Sequence, residues 1–307
     1  MIEHWIELAA LTVAAGTPLV YAALGELVVE KSGVLNLGVE GMMLAGAVMA
    51  FAVAASTGSP WLGVAAGALA GAVLALAFGV LTLSLMANQV AAGLALTLFG
   101  AGLSAFVGKP YVSQVIAGIP AVHLDALSDL PIIGHLLFSQ NPLVYVSIAL
   151  LVATHAFLYR TRPGLVLRAV GESPASAHAL GYPVARVRYL AVMFGGACAG
   201  IAGAYLAVAY TPLWAEGMTA GRGWIALALV VFATWKPWRL IAGAYLFGGV
   251  TLLQFEAQAS GADISSELLS MLPYIATILV LTIISRDTTL IRLNAPASLG
   301  KPFHPET

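Results

Sequence analysis

Charge is what this sequence lacks most. Only 9% of its 307 residues are Asp, Glu, Lys or Arg, and 60% are hydrophobic, whereas soluble domains carry about a quarter charged residues. A formal net charge of -1 supplies no basic footprint and excludes nucleic acid as a partner. Cysteine is nearly missing. The lone Cys198 excludes an internal disulfide and a cysteine metal cluster, and its setting in FGGACAGIAG points to packing rather than redox chemistry. The histidines, His4, His123, His135, His155, His178 and His304, are scattered without ligand spacing. A G-x-x-x-x-G-K-[ST] motif is also missing. Gly108-Lys109 and Gly300-Lys301 are each followed by proline, so the chain does not itself cradle ATP phosphates, and no cofactor is expected on it. No nucleophile or paired carboxylates stand out, which reads as a protein that is not an enzyme. The N-terminus, MIEHWIELAA, has Glu3 and Glu7 where a cleavable signal peptide wants Lys or Arg, and reads as a retained first span.

What is present is apolar sequence in lengths that suit a bilayer. About 20 residues cross a hydrocarbon core of about 30 Å, and runs of that order fall at 5–28, 34–56, 61–84, 88–108, 142–159, 187–209, 220–235, 239–259 and 267–285. The fold class is therefore an all-α polytopic membrane protein of about nine (eight to ten) transmembrane helices, some of them broken or re-entrant. The seventh run is the shortest in clean apolar sequence and the best candidate for a broken helix. The 32 glycines suit helices that pack through close backbone contact. Gly63, Gly67, Gly71, Ala75 and Gly79 recur every four residues as one smooth stripe, for packing inside this subunit or against a second one.

Arginine placement sets the orientation, because short cytoplasmic loops hold the Lys/Arg excess. Arg160, Arg162, Arg168, Arg186 and Arg188 face only Glu172 between 160 and 188, which places that loop inside. Lys236, Arg239 and the tail with Arg286, Arg292 and Lys301 fall on the same side. Asp125, Asp129, Asp263 and Glu267 fall outside. The tail from Asn294, NAPASLGKPFHPET, is rich in proline and polar residues and is expected to be extended and poorly ordered unless a partner holds it.

Polar groups within the apolar runs are the functional candidates, since a charge facing lipid at the bilayer centre costs about 2.5 to 3.5 kcal/mol on insertion scales. Two apolar segments meet around a glycine-rich break in TPLVYAALGELVVEKSGVLNLGVEGMMLAGA, carrying Asn36 and Glu40. Such a break belongs where protein or a water-filled path covers it. Asn36, Glu40, Asn88 and Gln89 are placed at cytoplasmic helix starts and Arg222 at the outer start of the seventh run. Glu40 reads as a first-turn carboxylate or a path-lining one, Arg222 as an interfacial anchor or a path residue, and Asn88 and Gln89 as caps before ligands. Trp224, Trp235 and Trp238 read as interfacial belt residues first and stacking residues second. An ion-coupled secondary transporter would hold a mid-depth carboxylate, and here the acids are read near span ends, Glu256 excepted.

Between the fifth and sixth runs lies RTRPGLVLRAVGESPASAHALGYPVARVRYL. Pro174 opens, and Gly181 closes, a helix of about two turns outside the bilayer. This stretch resembles the AxGE(N/S)PxAAxxxGI segment of permeases in the branched-chain amino acid, ribose and nucleoside ABC importers at Ala169, Gly171, Glu172, Pro174, Ala175, Ala177 and Gly181. Tyr182 and Pro183 depart from it. GVLNLGVEGMMLAGA, NQVAAGLAL and GRGWIALALVVFATWKPW resemble the nucleoside-type branch specifically, and the tail's APASLGKPF extends the resemblance along the chain.

The resemblance implies a transmembrane permease domain over 1-290 with a cytoplasmic coupling loop at about 160-188, and a cytoplasmic tail over 291-307. In this reading Gly171, Glu172, Pro174, Ala175, Ala177 and Gly181 form the loop that docks on an ATPase. Asn36, Glu40, Asn88, Gln89, Arg222 and Trp224 line the substrate path. The implied partners are an ABC ATPase subunit that hydrolyses the ATP, a second permease subunit, an extracytoplasmic substrate-binding lipoprotein and membrane lipid. The implied place is the bacterial inner membrane, and the implied cargo is nucleosides, with simple sugars as the alternative.

Overall fold

Polar caps written into the sequence start several of the helices. The structure, a computed structural model, describes residues 2–122, 138–259, 265, 268–269, 271–285 and 294–304. Asp125, Asp129, Asp263, Glu267, Arg286 and Arg292 lie outside the described residues. Within them run α1 (Ile2–Lys31), α2 (Val39–Thr57), α3 (Pro60–Gly79), α4 (Gln89–Gly108), α5 (Pro142–Arg160), α6 (Arg162–Glu172), α7 (Pro174–Ala179), α8 (Val184–Tyr205), α9 (Arg222–Phe232), α10 (Pro237–Ala259) and α11 (Leu272–Ser285). Ser59, Asn141, Thr161 and Ser173 each accept a backbone N–H at a helix start, with a proline in the first turn of the helix that follows. Those caps satisfy donors that have no partner within their own helix.

Among the described residues, seven helices are long and apolar enough to cross a membrane: α1, α2, α3, α4, α5, α8 and α10. The chain is a multi-pass membrane protein. The expected seventh run becomes α9, whose 11 residues extend about 16 Å at 1.5 Å per residue, half of a hydrocarbon core. Short π-helical stretches, Val80–Ser84 and Leu206–Tyr210, continue α3 and α8.

The glycine stripe of α3 packs inside this chain. Gly63 lies on Ala50 and Ala54 of α2, and a Cβ at Gly67 would sit 2.8 Å from the Gly46 carbonyl and 2.9 Å from Ala204 Cβ. Gly71 lies on the backbone of Gly196 and Gly200 in α8, and Gly79 on the Tyr189 ring. The stripe on α3 thus meets a second stripe on α8, leaving none of it for another subunit. The opposite face of α3 exposes Leu62, Leu69, Val73 and Leu76, as a lipid-facing surface does.

One end of the bundle collects the positive residues that orientation predicts for the inside. Arg168 lies over the Tyr159 ring, and Trp238 packs on His155. Lys31 donates to the Asn294 carbonyl at 2.7 Å, and Arg188 to Lys301 and Ser298. At the other end the segment after α4 runs beside the segment after α8, with a bridge between Val112 and Trp214 and a hydrogen bond from Ile119 N to Val208 O.

Two expectations about the arginine-rich end are corrected. Residues 162–172 form a helix rather than a charged loop, and their buried side, Gly164, Leu167, Val170 and Gly171, follows helical spacing. Residues 294–304 are held: Gly300 N donates to Gly33 O and Ser298 N to Gly171 O. Backbone groups that find partners in the same chain tie this tail down without a second protein.

Candidate functional site

Residues 32–38 form the break between α1 and α2, and side chains from two helices hold its backbone. Leu35 N donates to Gln89 Oε1 at 2.8 Å, and Asn36 N to Glu26 Oε1 at 3.1 Å. Asn36 Oδ1 accepts from Gly38 N at 2.9 Å, and its amide nitrogen reaches Met42 Sδ at 3.4 Å. An Asn that bonds the backbone two residues on imitates a turn, so Asn36 is occupied with its own chain. Leu37 O accepts from Thr97 Oγ1. Thr97 is eight residues beyond Gln89, about 12 Å further along α4, and Gly41 lies on the backbone of Leu96 and Thr97. The break therefore climbs along α4 from the arginine-rich end, and α2 begins well inside the bundle.

Glu40 joins that start to the start of α9. Its carboxylate accepts from Thr219 Oγ1 at 2.6 Å, Gly221 N at 2.9 Å and Gly223 N at 2.6 Å, and it is 7% exposed. Neither helix has a side-chain cap of its own: Gly38 precedes α2 and Gly221 precedes α9. One buried carboxylate thus lies in the first turn of α2 and caps α9, where both helix dipoles favour negative charge. Gly223 permits the approach, because a Cβ there would lie 2.6 Å from Glu40 Cα.

The placements of Asn36 and Glu40 at a cytoplasmic end and of Arg222 at an outer end are corrected together, since Glu40 and the backbone around Arg222 are in direct contact at one depth. The reading of all acids but Glu256 as lying near span ends fails for the same reason. The mid-depth carboxylate has three donors already and is a structural joint. Arg222 donates to the carbonyls of Met218 and Thr219, closing the turn ahead of its helix, and Trp224 beside it is half-buried.

At the far end of α9, Trp235 Nε1 donates to Glu30 Oε2 of α1, and Trp235 is 4% exposed. It is a core residue and not a belt residue, whereas Trp238 is 51% exposed. Ala220, Thr234 and Trp235, flanking α9, have φ of 48°, 47° and 53°. Left-handed non-glycine residues persist only where surrounding contacts over-determine them. The half-helix is therefore held at both ends by carboxylates, Glu40 above and Glu30 below.

The two α4 candidates separate. Asn88 is exposed and accepts from Ala91 N at 3.0 Å, a cap. Gln89 is buried at the break, where its Nε2 and Glu26 Oε2 have no hydrogen-bond partner among the described residues. Sequence reasoning passed over Glu26, Glu30 and Thr219 and took Arg188 only as a loop charge. The signal was two acids four residues apart near the end of an apolar run, too costly there without partners.

In the loop, Ser173 caps α7 and Pro174 opens it. Gly181 takes φ +85°, while Tyr182 N donates to Ala177 O and Gly181 N to His178 O. That is a Schellman ending, which needs the left-handed residue that glycine supplies. Ala175, Ala179 and Leu180 face outward, Leu180 at 77% exposure. Ala177 is buried with Val170 and Val184 against Phe303, so it supports α7 from below and is not open to a partner.

The family described as "Branched-chain amino acid transport system / permease component" matches residues 8–281. The chain belongs to this family. Across 96% of both chains it is 42% identical to the "Putative glucose ABC transporter permease protein" of Haloferax volcanii. It is 34% identical to the "Nucleoside ABC transporter permease protein" of Lactococcus lactis over 87% of this chain and 88% of that one. It is 31% identical to the "Guanosine ABC transporter permease protein" of Bacillus subtilis over 95% and 94%. No solved structure matches the chain. Membership makes this protein a permease of the ABC importers and a transport protein, not an enzyme.

Proposed function

We propose that this permease supplies one half of the membrane path of an ATP-driven importer for a neutral, hydroxyl-rich solute, with a simple sugar ahead of a nucleoside. The carrying observation is the 42% identity, over nearly the whole length of both chains, to a relative named for glucose. This reverses the order expected from the sequence motifs alone. The nucleoside reading rests on the two relatives at 34% and 31%.

The chemistry of the break favours a neutral cargo. Glu40 is saturated by three donors, and the buried polar atoms left over, Gln89 Nε2 and Glu26 Oε2, offer one donor and one acceptor beside consecutive residues of a re-entrant backbone. Hydroxyls provide both donors and acceptors and suit such a pair. Asn36, Glu40 and Arg222 position the path's backbone in this reading, and Asn88 leaves the path.

On the cytoplasmic side, α7 with its exposed Ala175, Ala179 and Leu180 is the surface for an ATPase subunit. An extracytoplasmic binding protein and a second permease complete the importer. The substrate is tested by competition for uptake of labelled glucose in cells expressing the complete importer. Unlabelled glucose is expected to suppress uptake and guanosine to suppress it weakly. Measurable labelled guanosine uptake that excess glucose leaves untouched reverses the assignment.

A further inference from the structure

Arg188, read from the sequence as a positive-inside loop residue, is 1% exposed. Its Nε donates to Ser32 O at 3.2 Å, one terminal nitrogen to Lys301 O at 3.3 Å and the other to Ser298 Oγ at 3.2 Å. Ser298 Oγ donates on to Gly171 O at 2.6 Å, and Ser298 N reaches the same carbonyl. Gly300 N donates to Gly33 O, and Lys31 Nζ to Asn294 O. Phe303 packs on the His178 ring, centroids 5.6 Å apart, and on the Ala177 cluster beneath α7. Gly171 itself lies on the backbone of Lys31 and Gly33.

We propose that the tail, residues 294–304, is a strap through which Arg188 and Ser298 lock the end of α6 and the whole of α7 to the break that leads into Glu40. The proposal rests on the reading of α7 as the ATPase contact. If α7 moves when the ATPase closes, its motion has to reach the break, and the strap makes the two one body. A guanidinium fork suits this task, because its donors lie in a fixed plane and reach acceptors on separate segments at once. An apolar residue at 188 would anchor α8 equally well but would bind neither Ser32 nor the tail. The hydrogen-bond chain runs unbroken from Gly171 through Ser298 and Arg188 to Ser32, and the covalent chain carries on to Asn36 and Glu40. Networks of this kind transmit displacement when both ends move as discrete units. The tail also walls, with α7, a groove of about 700 Å3 lined by Glu172, His178, Lys301 and Phe303, so strap and helix present one face to the cytoplasm.

The test uses the complete importer in proteoliposomes and reads solute moved per ATP hydrolysed. Arg188→Gln and Ser298→Ala are expected to leave complex assembly and ATP hydrolysis within about twofold of wild type. Solute moved per ATP should fall about tenfold, the factor matching loss of one charge-assisted hydrogen bond. Arg188→Lys, whose charged donors all sit on one nitrogen, should recover part of the ratio. Gly300→Pro serves if Arg188→Gln does not accumulate, since proline has no N–H for Gly33 and cannot adopt the φ of +74° at that position. An unchanged ratio, or uptake and hydrolysis falling in proportion, overturns the strap. Absence of ATP-dependent uptake by the wild-type importer would instead fault the coupling reading on which it rests.

Discussion

Replacing Glu40 with alanine abolishes transport and lowers the stability of the membrane domain. The substitution leaves Gly221 N, Gly223 N and the Thr219 hydroxyl without the acceptor they share, in surroundings where water does not replace it. Each buried donor left unsatisfied costs about 1 to 3 kcal/mol, so the three together cost on the order of 5 kcal/mol. Glu40→Gln keeps the volume but turns an NH2 group toward a backbone N–H, and most of the loss remains. Thermal unfolding of the purified permease and solute uptake by the importer measure the two effects. Wild-type stability and uptake in Glu40→Ala would mean that α9 needs no carboxylate to begin where it does.

Overpacking the glycine stripe has the second large effect. A Cβ at Gly71 meets the Gly196 carbonyl and lies 2.8 Å from Gly200 N, and neither is a flexible side chain that can move aside. Gly71→Leu therefore has to part α3 from α8, at a cost of about 1 to 3 kcal/mol. Gly102 is the control. Nothing lies within 4 Å of a Cβ built there, so Gly102→Leu is expected to stay within about 0.5 kcal/mol of wild type. The measurement is the melting temperature and the yield of assembled importer for both variants. Equal values for Gly71→Leu and Gly102→Leu would contradict the close α3–α8 contact.

What the sequence made legible follows the physics of each element. The long spans announced themselves through length and hydropathy. The Ser-Pro start at 173 and the Gly181 stop were readable because caps are local chemistry. The depth of Glu40 was not readable, because it depends on a break that turns back into the membrane and on a partner backbone near Gly221, far away in sequence. Arg188 was misread for a similar reason: arginine near a cytoplasmic loop is usually solvated, and only the returning tail buries it. Residues 162–172 hid as a loop because Arg162, Pro163 and Gly164 obscure its start, although Leu167, Val170 and Gly171 carry the helical spacing. The motif resemblance picked out segments that the fold brings together, but their side chains bind each other's backbones, a pairing that motifs do not encode.

The source of energy tests the account most directly. The permease, reconstituted in liposomes with its ATPase and binding protein, is followed for labelled sugar uptake under two regimes. One supplies ATP with no ion gradient, and the other supplies a proton or sodium gradient with no ATP. Uptake that requires ATP, and that Glu172→Arg, exposed at the end of α6 beside the proposed ATPase contact, uncouples from hydrolysis, is the predicted result. Uptake driven by either gradient without ATP would contradict the account, because it would make Glu40 or Glu26 an ion-coupling carboxylate and leave α7 without a task.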